Sequence, residues 1–356
     1  MRKKALLLVL LVGAIATYFL FRSPPAGPGP DRGAATAAAG PTVRPPRAKP
    51  LVGPDGEPKG PSFSEQTPGK EIFTAAWGSG PGNLGRDRPE EGNPIGPMSL
   101  GVDAKGRVHV LDGVNGRVVR RGADGKPDGS IKVDYLEPQD IAVGEDGTTA
   151  VLDRFTEKSV AVYDDSGVLR GELPLEGEGI SDVGEVTGVF VDGTDVYAER
   201  EHGQLVRIGD TSGQVADPQT EVAGRPTRDG LSWINAGITD APAGRVYVTA
   251  IDRPTNQHRF TRELKLRVLV RSIVLLDSDK TGTIYFAAEV EPEGTPPVIV
   301  LSCLEPLKGI PVGGAILPVN TLPEETFRDF TVLDEGGVIH ALRTEQGVTY
   351  TRYDCE

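Results

Sequence analysis

Soft metal ligands and nucleophiles are scarce in this chain of 356 residues, which holds two cysteines, two methionines and four histidines. Cys303 and Cys355 are too few for a disulfide scaffold, and no Cys/His spacing matches a zinc site. Basic charge is also short, with 38 Lys and Arg against 51 Asp and Glu. Residues 1–69 hold nine Lys/Arg and four Asp/Glu, so residues 70–356 carry a net −18. An acidic head of this kind does not bind nucleic acid or anionic lipid through bulk electrostatics. Missing as well are Gly-x-Ser-x-Gly, His-Glu-x-x-His, a P-loop, and Gly-x-Gly-x-x-Gly after a strand. Those absences weaken an enzymatic reading without removing it, because some folds assemble sites from scattered positions.

Long hydrophobic runs are limited to one. Ala5–Phe21 follows the basic start Arg2-Lys3-Lys4, and seventeen helical residues reach about 26 Å, at the low edge of a bilayer span. The expectation is a signal anchor or transmembrane helix over residues 1–22, with a cytoplasmic N-terminus and an exported remainder. Ala14-Ile15-Ala16 leaves cleavage of a signal peptide after Ala16 as the alternative. No Cys follows the run, which argues against lipid modification there. Residues 23–69 form the expected disordered linker. Twelve of the 30 prolines fall between Ser23 and Pro68, without an apolar period that could build a core.

What is present from residue 70 onward is repetition. Pro97–Ser130 reads as three short strands, Met98–Val102, Val108–Leu111 and Arg117–Arg120, each closed by a Gly-containing turn. Related units start near Gln139, Val186, Ile234, Ser272 and Asp329, spaced as four-stranded blades plus loops. The fold class expected is all-β, a six-bladed β-propeller over residues 70–356. The last unit is one strand short, and Glu71–Trp77 is the β-rich segment available to close it at the outer edge of blade six.

Unit one, from Pro97-Met98-Ser99-Leu100-Gly101-Val102-Asp103 through Gly106-Arg107-Val108-His109-Val110-Leu111-Asp112 to Asn115-Gly116-Arg117-Val118, resembles an NHL repeat. Unit two keeps Ile141-Ala142-Val143, Gly147 and Asp153 but loses the Asn-x-Arg, and the other units keep only the strand rhythm. The resemblance implies a protein- or RNA-binding platform, with lyases and lactonase-like hydrolases among exported relatives. Asp112 and Asn115 match positions that hold turns in that pattern.

Aligned second strands give a ring column of His109, Ala150, Tyr197, Tyr247, Tyr285 and His340, which reads as inter-blade packing. A catalytic role for His109 and His340 is the rival reading. Three residues further on, Asp112, Asp153, Arg200 and Arg343 are candidates to bind a polar or zwitterionic ligand at the channel mouth. Their other reading is solvated hairpin-end charge. A metal-dependent hydrolase would draw on the inner-strand starts Asp140, Asn235 and Asp329, with Glu185 nearby. No cofactor is expected. Calcium is a minor candidate at Asp277-Ser278-Asp279-Lys280-Thr281-Gly282, where a tight Asp-capped turn explains the same residues. The run Arg259, Arg262, Lys265, Arg267 and Arg271 is either a receiver for an acidic partner or a solvated edge strand. Cys303 and Cys355 end the third strands of neighbouring blades and are expected to pair. The reading that follows is a membrane-tethered binding platform for a protein or small polar ligand. Its alternative is a metal-dependent propeller hydrolase or lyase.

Overall fold

The computed structural model describes Phe63 and residues 65–355. Six four-stranded antiparallel sheets make up the described chain, with two short 3-10 turns. The inner strands are Ser99–Val102, Asp140–Val143, Val186–Asp192, Arg225–Pro226, Leu269–Ser278 and Phe330–Val332. The ring closes as expected. Lys70–Ala76 pairs antiparallel with Gly347–Tyr353, so the first strand becomes the outer strand of the last blade. Propellers protect their edges in this way, because an unpaired outer strand offers a row of free N–H and C=O groups.

The repeat is written in turn chemistry. In blade one Asp103 Oδ1 accepts from the backbone N–H groups of Lys105 and Arg107, both at 2.9 Å. In blade five Asp279 Oδ1 accepts in the same way from Thr281 (2.8 Å) and Thr283 (3.1 Å). Each turn ends on a glycine with positive φ, Gly106 at +71° and Gly282 at +83°. The segment Asp277–Gly282 is therefore an Asp-capped hairpin, and its Lys280 is taken up by Glu145 and Asp334, each at 3.2 Å.

Apolar clusters fill five of the six joints between blades. Leu100, Val110, Ile339 and Tyr350 join blades six and one, and Leu111, Ile131, Ile141 and Val151 join blades one and two. Comparable clusters join two to three, four to five, and five to six. The joint between blades three and four differs. Its cluster, Phe190, Tyr197 and Leu205 with Val222, comes from blade three alone. Two ion pairs cross the seam instead, Arg225–Glu199 at 2.6 Å and Arg253–Asp192 at 2.7 Å. Both guanidinium groups also lie over rings, Arg225 over Phe190 and Arg253 over Trp233.

Cys303 and Cys355 form a disulfide between blades five and six, with Cα atoms 6.1 Å apart. Blade five also carries a tie that the linker boundary at residue 69 did not foresee. Thr67 N–H donates to Ile316 O at 2.8 Å, and Phe63 packs against the cluster of blades four and five. The folded head thus begins before Lys70.

Two alignments are corrected. Blade four begins with Arg225–Pro226, and the segment carrying Ile234 and Asn235 is its second strand, Ser232–Asp240. A two-residue inner strand containing proline leaves no alternating pattern to read. The buried column member there is Ile234, while Tyr247 sits on the third strand and is half-buried. In blade six the column slips by one residue. Counted from the hairpin-closing residue (Arg107 or Gly337), His109 is second, whereas His340 is third and Ile339 is second. A slip of one turns a side chain to the opposite face of the sheet. His340 accordingly stacks on Phe330 at 4.4 Å, toward blade five, and Ile339 joins the cluster shared with blade one. The packing reading holds for both histidines, on different faces.

Among the described residues no helix is long and apolar enough to cross a membrane. The Ala5–Phe21 run lies outside the described residues.

Candidate functional site

A cavity of about 880 Å³ occupies the axis of the ring, within the range of small-molecule sites. Its waist is apolar, with Leu100, Ile141, Phe190, Leu276 and Phe330 in the wall. Charged side chains gather at its two ends. One end is the loop rim, where inner strands begin. The other is the hairpin rim, where inner strands turn into second strands.

At the loop rim Arg328 reaches across the ring. It precedes the inner strand of blade six, and its Nη2 donates to Asp140 Oδ2 of blade two at 2.7 Å and to Val189 O of blade three at 3.1 Å. Asp140 is fully buried and accepts two further hydrogen bonds, from Ser99 Oγ (2.5 Å) and Val189 N–H (2.9 Å). Burial of Arg328 opposes its charge. Asp140, with Glu199 and Asp277 further off, outweighs that and holds the guanidinium above its ordinary pKa. No hydrogen bond of its Nε or Nη1 occurs among the described residues, and the side chain lines the cavity.

At the hairpin rim Lys280 of blade five bridges Glu145 of blade two and Asp334 of blade six. Arg228 of blade four joins Asp277 and Asp334, each at 3.0 Å. Lys280–Glu145 crosses between opposite blades, Arg228–Asp334 skips one blade, and the other two join neighbours, so together they draw that end in while Arg328 braces the other.

Of the four candidates for the mouth, Arg343 lines the cavity. It donates to both oxygens of Asp329, at 3.1 and 3.2 Å. The alignment that selected it was one residue out. Asp112 instead anchors a turn, accepting from Gly85 N–H, Asn115 and Arg117 at 2.8–2.9 Å. Asp153 accepts from the N–H groups of Phe155 and Thr156. Arg200 is spent on Gly179 O, Gln204 and Glu221. These three do not converge with Arg343.

The four oxygen-bearing candidates for a metal are likewise engaged apart. Asp329 is shared by Arg343, Asn320 and Thr326. Asn235 donates to Ala223 O from the second strand of blade four. Glu185 is half-buried in a 3-10 turn. Among the described residues no group of three or more His, Cys, Asp or Glu could hold a metal ion.

The basic run is dispersed rather than displayed. Arg259 pairs with Asp252 (2.6 Å), Lys265 with Glu263 (3.5 Å), and Arg271 with Glu289 (3.2 Å) and Glu291 (2.8 Å). Arg262 donates to Lys308 O.

Sequence reasoning missed Arg225, Arg228, Arg271 and Arg328 as cavity residues. Each comes from a loop or strand start with no periodic signature, so spacing alone could not find them.

No protein-family model matches the chain, and no curated protein matches it. Among solved structures it is similar to hydrazine synthase from Kuenenia stuttgartiensis, at 16% identity and a TM-score of 0.47. That alignment covers 72% of this chain and 76% of the other. Glutaminyl cyclase from Myxococcus xanthus aligns at 11% identity and 0.38, covering 82% and 97%. Virginiamycin B lyase from Staphylococcus aureus aligns at 11% and 0.39, covering 73% and 95%. No residue role is carried across at these scores.

Proposed function

We propose that this protein is a ligand-binding propeller of NHL-like type, held at a membrane by Ala5–Phe21 and exported, which receives a small polar ligand with an acidic group in its central cavity. The observation that carries this reading is Arg328, a braced cation that lines the cavity and whose Nε and Nη1 have no hydrogen bond among the described residues. Arg225, Arg228, Arg271 and Arg343 already serve carboxylates of the fold. Binding is favoured over hydrolysis because most of the described charged groups around the cavity are paired with one another, Glu199 with Arg225 and Asp329 with Arg343 among them, rather than set apart as an acid-and-base couple. General acid–base work needs such a couple poised within reach of a substrate.

The test is a thermal-shift screen of small organic acids against the full chain and against an Asp140→Asn/Arg328→Met double variant, which removes both charges together. Acids should raise the melting temperature of the parent and leave the variant unmoved. Equal shifts in both, or none in the parent, would sink the reading. Fractionation tests the tether. The protein should partition with membranes, and a soluble product beginning at Thr17 would contradict it.

A further inference from the structure

Local departures from regular structure gather at one place on the loop rim. The inner strand of blade three carries a bulge between Val186 and Gly188, opposite Arg200 and Glu199. The turn after that second strand sets Glu201 at φ +48° and His202 at +58°. Two successive non-glycine residues in the left-handed region are strained, so neighbours must hold them there. They do: Glu201 N–H donates to Glu185 O at 3.0 Å, and His202 N–H donates to Thr187 Oγ1 at 2.8 Å. Thr187, Glu199 and His202 all line the cavity. Bulges and enforced turns of this sort recur beside binding sites, where they aim side chains that a regular strand would not.

Two carboxylates at this place are flanked by two guanidinium groups. Glu199 Oε1 accepts from Arg225 at 2.6 Å, and no hydrogen bond of Oε2 occurs among the described residues. Gly188 separates Glu199 from Asp140. A Cβ there would lie 3.0 Å from Glu199 Oε2 and 3.4 Å from Asp140 Oδ2, so two carboxylates from adjacent blades face the space that glycine leaves. Beyond Asp140 stands Arg328 with its free edge. One wall thus offers an acceptor and a cationic donor, each without a hydrogen-bond partner among the described residues.

On this basis, and resting on the cavity reading above, we infer that the blade-three rim recognises a zwitterion of the amino-acid class, its ammonium at Glu199 Oε2 and its carboxylate on the free edge of Arg328. Charge-assisted hydrogen bonds to both ends make such a pair selective, because a ligand lacking one end leaves a desolvated partner unsatisfied. The apolar waist beneath, with Phe190 and Leu276, would take the side chain.

Three pools distinguish the classes: the standard L-amino acids, their N-acetyl forms and their amides, each added to the full chain in thermal unfolding and calorimetry. The free amino acids should bind at least tenfold more tightly than either blocked pool. Glu199→Gln should remove that advantage, leaving free and N-acetyl pools equal. If the N-acetyl pool binds the parent as tightly as the free pool, the zwitterion inference is overturned while an acid-binding cavity stands. If no pool binds, the inference fails whatever the organic-acid screen returns.

Discussion

Arg328 and Asp140 meet at 2.7 Å although 188 residues separate them, and the contact spans from blade six to blade two over the start of blade one. Arg328 N–H also donates to Met98 O at 3.0 Å, which fixes the crossing segment on blade one. The pair braces the ring, and the Arg328 side chain also lines the cavity, so one side chain serves both the fold and the proposed ligand site.

Removing Arg328 alone strands the buried Asp140 carboxylate. Arg328→Met should cost about 3–5 kcal/mol in urea unfolding, and adding Asp140→Asn should recover a good part of it. A double variant no more stable than the single one would show that the pair is not the source of the loss.

His340 makes a pH prediction. Burial lowers its pKa to about 4, Arg343 adds to the effect and Asp329 opposes it. Neither ring nitrogen has a hydrogen-bond partner among the described residues. The folded state therefore binds its proton less readily than the unfolded chain, whose histidine titrates near 6.5. Stability from this group is fully present above about pH 6.5 and is lost as pH falls toward about 4, by roughly 3 kcal/mol. His109 is depressed as well, chiefly by burial, so the informative quantity is the difference between parent and variant. His340→Phe should keep the stacking on Phe330 and flatten the acid slope in denaturant titrations at pH 7 and 4.5. Parallel slopes in the two proteins would refute the assignment.

The disulfide closes a loop of 52 residues across the joint between blades five and six. Chain-entropy reasoning sets its contribution at about 4 kcal/mol, with measured cases often lower. Cys303→Ser/Cys355→Ser should lower the melting temperature by several degrees, and reductant should do the same to the parent alone. A melting temperature indifferent to reductant would remove the bridge from the stability of the ring.

Truncation separates the proposed tether from the closure. Deleting residues 1–62 leaves Phe63, Thr67 and Lys70–Ala76 in place and should not change the melting temperature. Deletion to residue 69 forfeits the Thr67–Ile316 tie and the packing of Phe63, a loss of about 1–2 kcal/mol. Deletion to residue 80 uncovers Gly347–Tyr353 and should produce aggregation visible by light scattering. Equal behaviour of the two longer truncations would refute the closing role of the first strand.

The sequence by itself determined the blades, the closing strand and the disulfide, for one physical reason. Strand alternation, Asp-x-x-Gly turns and a missing last strand are local properties written at regular spacing. Asp103 and Asp279 cap equivalent hairpins because each bonds backbone a few residues ahead of it. Where that local signal thinned, the reading slipped, at Arg225–Pro226 and by one residue at His340. The tertiary structure alone decided the cavity. Arg328, Asp140, Glu199 and Gly188 come from three blades and meet only because the ring closes, and no spacing along the chain encodes that convergence.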